Sequence, residues 1–122
     1  MRKNLLITPE GTKDYLFEEC ISSCDIQSKI KDCFMSKGYF RVDTPCIEFY
    51  DLFSMEDSGY PQENMFKTTD NKGRLLVMRP DSTLPIARMA ATRLKNYHMP
   101  LRLFYGQSVY RNNPTLLGRS NE

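Results

Sequence analysis

Apolar residues recur at helical spacing early in the chain and predict one long amphipathic helix over residues 16–36. Its two adjacent apolar stripes consist of Phe17, Ile21 and Cys24, and of Ile26, Ile30, Cys33 and Phe34. Gly38 lies two residues after the predicted end at residue 36. A glycine just past a helix adopts the left-handed cap conformation at little cost. We therefore expect the helix to end just before Gly38.

Short β-prone runs follow this helix. Residues 65–69 and 74–79 flank a polar turn that ends in a glycine, and this pattern predicts an antiparallel hairpin. Two further short strands are predicted over residues 39–42 and 47–50, separated by a Thr-Pro step. The polar stretch over residues 54–64 contains Gly and Pro and predicts a loop.

A second helix is predicted after the hairpin, extending to about residue 96. Asp81, Ser82 or Thr83 can cap its N-terminus, and Pro85 suits its first turn. A long strand over residues 101–110 follows. The order helix, strands, hairpin, helix, strand predicts an α+β fold with a mainly antiparallel sheet flanked by helices.

Charge is distributed unevenly along the 122 residues. The formal net charge is only +2, but residues 1–66 carry 7 Lys/Arg against 12 Asp/Glu, whereas residues 67–122 carry 10 against 3. The small total excludes a general polyanion binder, and the split indicates a local anion site, since Arg suits bidentate recognition of carboxylate and phosphate. The arginines of the second half are Arg74, Arg79, Arg88, Arg93, Arg102, Arg111 and Arg119.

Several function classes lack their sequence signatures. No nucleophile elbow, phosphate-binding loop or dinucleotide fingerprint occurs, so hydrolase and nucleotide-loop chemistry are not indicated. The spacing of the cysteines does not fit a zinc site, and we expect neither a metal nor a cofactor. Without a signal peptide or an apolar span, the chain is expected to be cytoplasmic, with reduced cysteines as small core residues. The cysteines are Cys20, Cys24, Cys33 and Cys46.

Two places along the chain could bind a ligand. At the strand-to-helix junction, Asp81 and Thr83 could hold the ammonium group of an amino acid, while the helix N-terminus offers N–H donors. Simple helix capping is the alternative interpretation. Arg111 and Arg119 lie at a strand end and in the loop after it, where they could bind a triphosphate or pyrophosphate. Solvation of a strand end is the alternative there.

Together these segments resemble a known family. The run Thr-Pro-Glu-Gly-Thr-Lys-Asp at 8–14 is similar to the opening of histidyl-tRNA synthetases and their paralogue, the regulatory subunits of ATP phosphoribosyltransferase. The segment at about 34–50 resembles motif 1 of class II aminoacyl-tRNA synthetases. The segment at about 101–122 resembles motif 2, and Arg-Pro-Asp-Ser-Thr at 79–83 resembles the synthetase's Arg-Pro-Glu-Gly-Thr.

Details of these segments favour the paralogue over the synthetase. Asp81 stands where the synthetase has Glu, and the residues that follow it resemble the regulatory subunit. The motif 2 sequence Phe-Arg-x-Glu of a synthetase is replaced by Tyr110-Arg111-Asn112-Asn113, so the carboxylate that helps hold ATP is missing. A divergent or truncated histidyl-tRNA synthetase, active in histidine- and ATP-dependent aminoacylation, remains the alternative.

The resemblance implies a non-catalytic subunit that works with the short catalytic subunit of ATP phosphoribosyltransferase in histidine biosynthesis and its histidine feedback. Histidine is a candidate ligand, and neither tRNA nor a membrane is expected as a partner. In this interpretation Asp81 and Thr83 line a histidine-like pocket, and Arg111 and Arg119 lie on the former nucleotide side. The entrance loop contains Glu10, Gly11 and Thr12. The dimerisation segment contains Gly38, Tyr39, Thr44, Pro45 and Glu48.

The length of the chain also matters within this resemblance. Motif 3 of the family lies far beyond motif 2, and no counterpart of it occurs in these 122 residues. We therefore expect residues 1–122 to be the N-terminal part of one class II synthetase-like domain, without catalysis of its own.

Overall fold

The computed structural model describes residues 3–55, 59–112 and 122. Its helices are α1 (Phe17–Ser36) and α2 (Thr83–Thr92), with 3-10 turns at Lys3–Leu6, Tyr50–Leu52 and Gln62–Asn64. Its strands are β1 (Phe40–Arg41), β2 (Ile47–Phe49), β3 (Lys67–Thr69), β4 (Leu75–Met78) and β5 (Leu103–Phe104). The mixture of helices and paired strands confirms the α+β prediction.

Strand β4 is the centre of a three-stranded antiparallel sheet in the order β2-β4-β3. Val77 at its middle lies opposite Glu48 on β2 and Lys67 on β3. A separate two-stranded sheet pairs β1 with β5 in parallel. Both pairings in the larger sheet are antiparallel, as the sequence predicts. The parallel pairing of β1 with β5 is not predicted from the sequence.

The turn between β3 and β4 is built by one aspartate and one glycine. The Asp70 carboxylate accepts hydrogen bonds from the backbone N–H groups of Lys72 and Arg74, both at 2.9 Å. Gly73 adopts a φ of +77°, a backbone conformation that is strained for a residue with a side chain. These local interactions stabilise the turn, and the predicted hairpin is confirmed.

The small core lies on one side of β4. Phe53, Met65 and Val77 are buried there, and Tyr60 and Leu84 pack against them half-buried. Because Tyr60 and Leu84 belong to the loop before β3 and to the first turn of α2, this core holds the loop close to the strand-to-helix junction. The junction carries the candidate ligand residues.

Helix α1 has the predicted bounds but not the predicted burial. None of its residues is buried, and Cys20, Cys24 and Cys33 are exposed, so the expectation of core cysteines is wrong for these three. At its C-terminal end the Phe34 ring stacks on Phe104, with centroids 5.1 Å apart. Within the described residues, the rest of the apolar surface of α1 has no element packed over it.

Helix α2 ends at Thr92, four residues earlier than predicted. The Thr92 hydroxyl donates a 2.8 Å hydrogen bond to the carbonyl of Arg88, and such side-chain bonds compete with the helical ladder. The N–H groups of Arg93 and Leu94 then share the Met89 carbonyl, which closes the helix. The prediction overlooked this threonine as a stop signal.

The predicted strand over residues 101–110 is shortened to β5. Its partner β1 has only two residues, so the ladder closes with bonds from the Phe40 N–H to the Arg102 carbonyl and from the Val42 N–H to the Phe104 carbonyl. Farther along, the Tyr110 N–H donates to the Arg79 carbonyl at 2.9 Å instead of extending the strand. Strand length here is set by the partner, which the sequence of the segment itself does not show.

Neither α1 nor α2 combines the length and the apolar character of a transmembrane helix, and the same holds for every other helical segment of the described residues.

Candidate functional site

The candidate site lies where β4 turns into α2. The Asp81 carboxylate accepts a 2.7 Å hydrogen bond from the Tyr60 hydroxyl at Oδ2 and a 2.8 Å bond from the Ser82 N–H at Oδ1. The Thr83 side chain also donates to it. The structure therefore brings together Asp81 and Thr83, as the amino-acid pocket prediction requires, and adds Tyr60.

These contacts set the ionisation of the two acidic groups. Partial burial disfavours the charged Asp81 carboxylate, but the hydrogen bonds from Tyr60, Thr83 and Ser82 and the nearby Arg111 charge outweigh burial, so the pKa of Asp81 lies below its ordinary value. Burial, followed by the bond to Asp81, raises the pKa of the Tyr60 hydroxyl. At neutral pH the pair therefore consists of a neutral donor and a charged acceptor.

Arg111 lies at the same junction. Its Nε donates a 3.1 Å hydrogen bond to the Pro80 carbonyl, and its guanidinium carbon lies 5.8 Å from the centroid of the Tyr60 ring, within cation–π range. One carboxylate and one guanidinium thus flank the same tyrosine. Arg119, predicted for the same anion-binding role, lies outside the described residues.

An open depression of about 260 Å³ adjoins these groups and is lined in part by Tyr60, Pro80 and Arg111. Another depression, of about 390 Å³, also has Tyr60 in its lining, and two still larger ones lie elsewhere. One, of about 630 Å³, runs beside α1 with Lys31 and Arg41 among its lining residues and has no carboxylate there. The other, of about 590 Å³, is mostly apolar. Among these depressions of the described residues, only the smallest is lined by Arg111, and the Asp81 carboxylate is linked to it through the hydroxyl of Tyr60, which also lines it.

A buried polar network supports the junction from behind. The Gln107 carbonyl oxygen accepts hydrogen bonds from the Thr44 and Ser82 hydroxyls, both at 3.0 Å, while its Nε2 donates to the Thr44 carbonyl at 3.1 Å. Ser82 has 0% of its surface exposed. This network joins three separate segments immediately beside Asp81. The sequence analysis missed Gln107 because its partners lie 63 and 25 residues away.

Two arginines that the charge split associated with an anion site have structural roles instead. Arg79 is buried, and its guanidinium donates to the carbonyls of Ser108 at 2.6 Å and Thr44 at 3.0 Å. Arg88 pairs with Glu48 at 2.8 Å. In the described structure Arg79 is therefore bound to chain carbonyls and Arg88 to a carboxylate of the chain, so neither is observed as part of an anion site, although the buried Nε of Arg88 has no hydrogen-bond partner among the described residues.

The predicted entrance loop forms a tight turn. The Thr12 hydroxyl and N–H both bond the Pro9 carbonyl, at 2.6 and 3.1 Å, and the Thr8 hydroxyl bonds the Thr12 carbonyl at 3.1 Å. Gly11 has a φ of +76°, and Glu10 at the tip is exposed. These bonds define the shape of the turn but do not join it to Asp81, so its role as an entrance stays a prediction.

The residues predicted for dimerisation divide into two groups. Gly38 and Tyr39 close α1, and Pro45 is exposed. Thr44 and Glu48 instead face the interior, with 7% and 8% of their surfaces exposed, and both have partners within the chain. Three apolar side chains of this segment, Phe40, Ile47 and Phe49, remain exposed beside the charged Arg41 and Asp43. Dimerisation through this segment stays a prediction.

Within residues 3–55 and 59–112, no three His, Cys, Asp or Glu side chains are grouped closely enough to hold a metal ion.

The chain is similar to a well-defined set of proteins. The profile of the family described as histidyl-tRNA synthetase matches residues 11–122. The ATP phosphoribosyltransferase regulatory subunit of Ruminiclostridium cellulolyticum is 44% identical over 117 residues, which are 96% of this chain and 28% of that protein. The chain thus spans little more than a quarter of this relative.

Solved structures give the same fold. A Bacillus halodurans protein, titled an ATP phosphoribosyltransferase regulatory subunit/histidyl-tRNA synthetase, superposes with a TM-score of 0.83 at 32% identity, over 96% of this chain and 30% of that one. The apo histidyl-tRNA synthetase of S. aureus superposes with a TM-score of 0.74 at 25% identity, over 87% of this chain and 29% of that one.

Proposed function

The chain belongs to the histidyl-tRNA synthetase family, and from this premise we propose that it is part of a non-catalytic regulatory subunit of ATP phosphoribosyltransferase. One observation carries the proposal. Over 96% of its length the chain is 44% identical to a protein of that name, whereas its identity to the S. aureus histidyl-tRNA synthetase is 25%. The protein would act with the short catalytic subunit in histidine biosynthesis, in the cytoplasm.

The site supports binding rather than catalysis. Asp81 and Thr83 provide acceptors for an ammonium group, and Arg111 provides a cation for a carboxylate or phosphate. In a synthetase-like motif 2 a glutamate would follow this arginine, but Asn112 and Asn113 stand here. We infer that the pocket holds histidine as an effector, with Arg111 and Arg119 on the former nucleotide side. Glu10, Gly11 and Thr12 would form its entrance.

Assembly with the short catalytic subunit tests the proposal. The protein expressed from its whole reading frame is mixed with that subunit, and both ATP-dependent phosphoribosyl transfer and the mass of the complex are measured, with the catalytic subunit alone as the control. We expect a hetero-oligomer, higher activity and inhibition by L-histidine. Unchanged activity together with unchanged mass would contradict the proposal. An Asp81→Asn variant should assemble normally but require about tenfold more histidine for inhibition, since it loses a charged acceptor.

The rival function is that of a divergent histidyl-tRNA synthetase, with which the family match is compatible. Histidine-dependent exchange of pyrophosphate into ATP separates the two functions, with an active histidyl-tRNA synthetase as the positive control. We expect no exchange from this protein. Robust exchange would establish the rival.

Self-association is part of the proposal. The exposed Phe40, Ile47 and Phe49 would face a second copy, while Thr44 and Glu48 hold their segment in place from inside. Replacing Phe40, which is 73% exposed, by Ser should lower the mass of the complex, measured by light scattering. Replacing the interior Thr44 would instead lower stability.

A further inference from the structure

Tyr60 contacts both charged groups of the candidate pocket. Its hydroxyl donates to Asp81 Oδ2 at 2.7 Å, and its ring lies 5.8 Å from the guanidinium carbon of Arg111. The same ring packs edge-on against the buried Phe53, with centroids 6.4 Å apart. A single side chain of the loop before β3 therefore lies between the core and both recognition groups.

The bond to Asp81 resembles the contact that a ligand would make. Oδ1 is oriented by the Ser82 N–H from the neighbouring residue, so the direction of the carboxylate is fixed locally. Oδ2 receives its hydrogen bond from Tyr60, 21 residues away in the sequence. An ammonium N–H donates to a carboxylate oxygen over nearly the same distance as this hydroxyl does. The Tyr60 hydroxyl thus occupies a position on Asp81 that suits an amine.

The backbone next to Tyr60 can reorient. Gly59 has a φ of +77°, and a Cβ built at this glycine would meet nothing within 4 Å. Because glycine has no Cβ, it populates both signs of φ with similar ease, and position 59 can therefore change φ at low intrinsic cost. Tyr60 is also only partly buried.

We propose that Tyr60 is a displaceable occupant of the pocket: its hydroxyl holds the amine position on Asp81 and its ring lies against Arg111, so that an amino-acid ligand binds only after Tyr60 has left both. This inference rests on the proposed histidine pocket and adds an intramolecular competitor to it. Displacement of this one residue removes a contact from the Asp81 carboxylate and a contact from the Arg111 guanidinium, the two charges that match those of a free amino acid.

Removal of the Tyr60 hydroxyl tests the competition. L-Histidine is titrated calorimetrically into the protein expressed from its whole reading frame and into its Tyr60→Phe variant. We expect binding about tenfold tighter in the variant, because a hydrogen bond to a charged group no longer has to be broken. Tyr97→Phe, at an exposed tyrosine, serves as the matched control and should leave the affinity unchanged. Unchanged or weaker binding by Tyr60→Phe would overturn the inference.

A spectroscopic readout follows the displacement itself. In protein labelled with ¹³C at the tyrosine Cζ, the Tyr60 resonance is identified by its loss in Tyr60→Phe. Saturating L-histidine should shift this resonance in the wild-type protein, because the hydroxyl exchanges Asp81 for water. A resonance that stays in place while histidine binds would show that Tyr60 remains on Asp81.

The Asp81→Asn variant separates failure of the inference from failure of the pocket. If histidine binds in an Asp81-dependent way but is insensitive to Tyr60→Phe, the pocket stands and the competition is wrong. If neither the wild type nor Tyr60→Phe binds histidine, both are wrong. Thermal unfolding of each variant verifies that it is folded.

Discussion

Glu48 on β2 and Arg88 on α2 form an ion pair, with Oε1 and Nη2 2.8 Å apart. Glu48 is almost fully buried, at 8% exposure, and lies opposite Val77 at the centre of the sheet. The pair therefore fixes α2 against the sheet and, with it, the junction that presents Asp81. A carboxylate at this depth depends on its partner, because an unpaired buried charge is costly.

Removal of Arg88 should reveal this dependence. We expect Arg88→Met to lower the free energy of unfolding by about 2 kcal/mol, less than for a fully buried pair because Arg88 is partly exposed. Urea unfolding measures the change. Arg93→Met, at an exposed arginine next to the end of α2, is the matched control and should change stability by less than about 0.5 kcal/mol.

The double variant isolates the pair. Glu48→Gln combined with Arg88→Met should be less destabilised than the sum of the two single changes, since no buried charge is left unpaired. Equal losses from Arg88→Met and Arg93→Met would contradict a specific role for the pair.

Gln107 should behave as a structural residue. Gln107→Leu removes the acceptor of the Thr44 and Ser82 hydroxyls and the donor to the Thr44 carbonyl. We expect a loss of about 2 kcal/mol in the free energy of unfolding, because these buried groups are left without partners. Gln62→Leu, at an exposed glutamine, is the control. A loss no greater than that of the control would show that water replaces the amide.

Features with nearby determinants could be predicted from the sequence. The bounds of α1 follow from periodicity and Gly38, and the hairpin follows from Asp70 and Gly73, all within a few residues of the element concerned. The lengths of α2 and β5 could not be predicted in this way. They depend on a threonine bonding back to its own helix and on a partner strand of only two residues.

In the candidate site, too, the residues in local sequence patterns could be predicted, whereas those with distant partners could not. Asp81, Thr83 and Arg111 stand in recognisable local patterns, and the structure brings them to one junction. Tyr60 lies in a stretch that the sequence describes only as a polar loop, and Gln107 in one predicted as a strand. Their importance arises from partners 21 to 63 residues away, which no local pattern encodes.

Asp81 should make stability depend on pH in the acid range. Its pKa in the folded chain lies below the ordinary carboxyl value of 3.8, so the unfolded chain takes up the proton first as the pH falls. The stabilisation is therefore complete above about pH 5 and is lost as the pH falls through 3.8 toward the folded pKa. Thermal unfolding of the wild type and of Asp81→Asn from pH 7 to pH 3 should show a gap in midpoint that narrows with acidity. A gap that is constant over this range would contradict the ionic contribution.

The C-terminal cap of α1 should depend on Gly38, because any residue with a side chain would be strained at this position. The N–H of Tyr39 bonds the Phe34 carbonyl and the N–H of Gly38 bonds the Met35 carbonyl, both at 3.1 Å, which is the Schellman pattern. The Tyr39 ring packs edge-on against Phe34, with centroids 5.4 Å apart. The pattern requires a left-handed residue, and Gly38 has a φ of +84°.

Gly38→Ala and Gly106→Ala form a matched pair of variants that tests the contribution of the left-handed cap. A Cβ at either position would meet nothing within 4 Å, so neither substitution causes a steric clash. The two positions differ in backbone conformation, because only Gly38 has a left-handed φ. We expect Gly38→Ala to cost about 1 kcal/mol of unfolding free energy, because alanine in this region is strained. Gly106→Ala should be neutral or stabilising by about 0.5 kcal/mol, because it restricts the unfolded chain. Equal effects in urea unfolding would show that the left-handed cap contributes nothing to the end of α1.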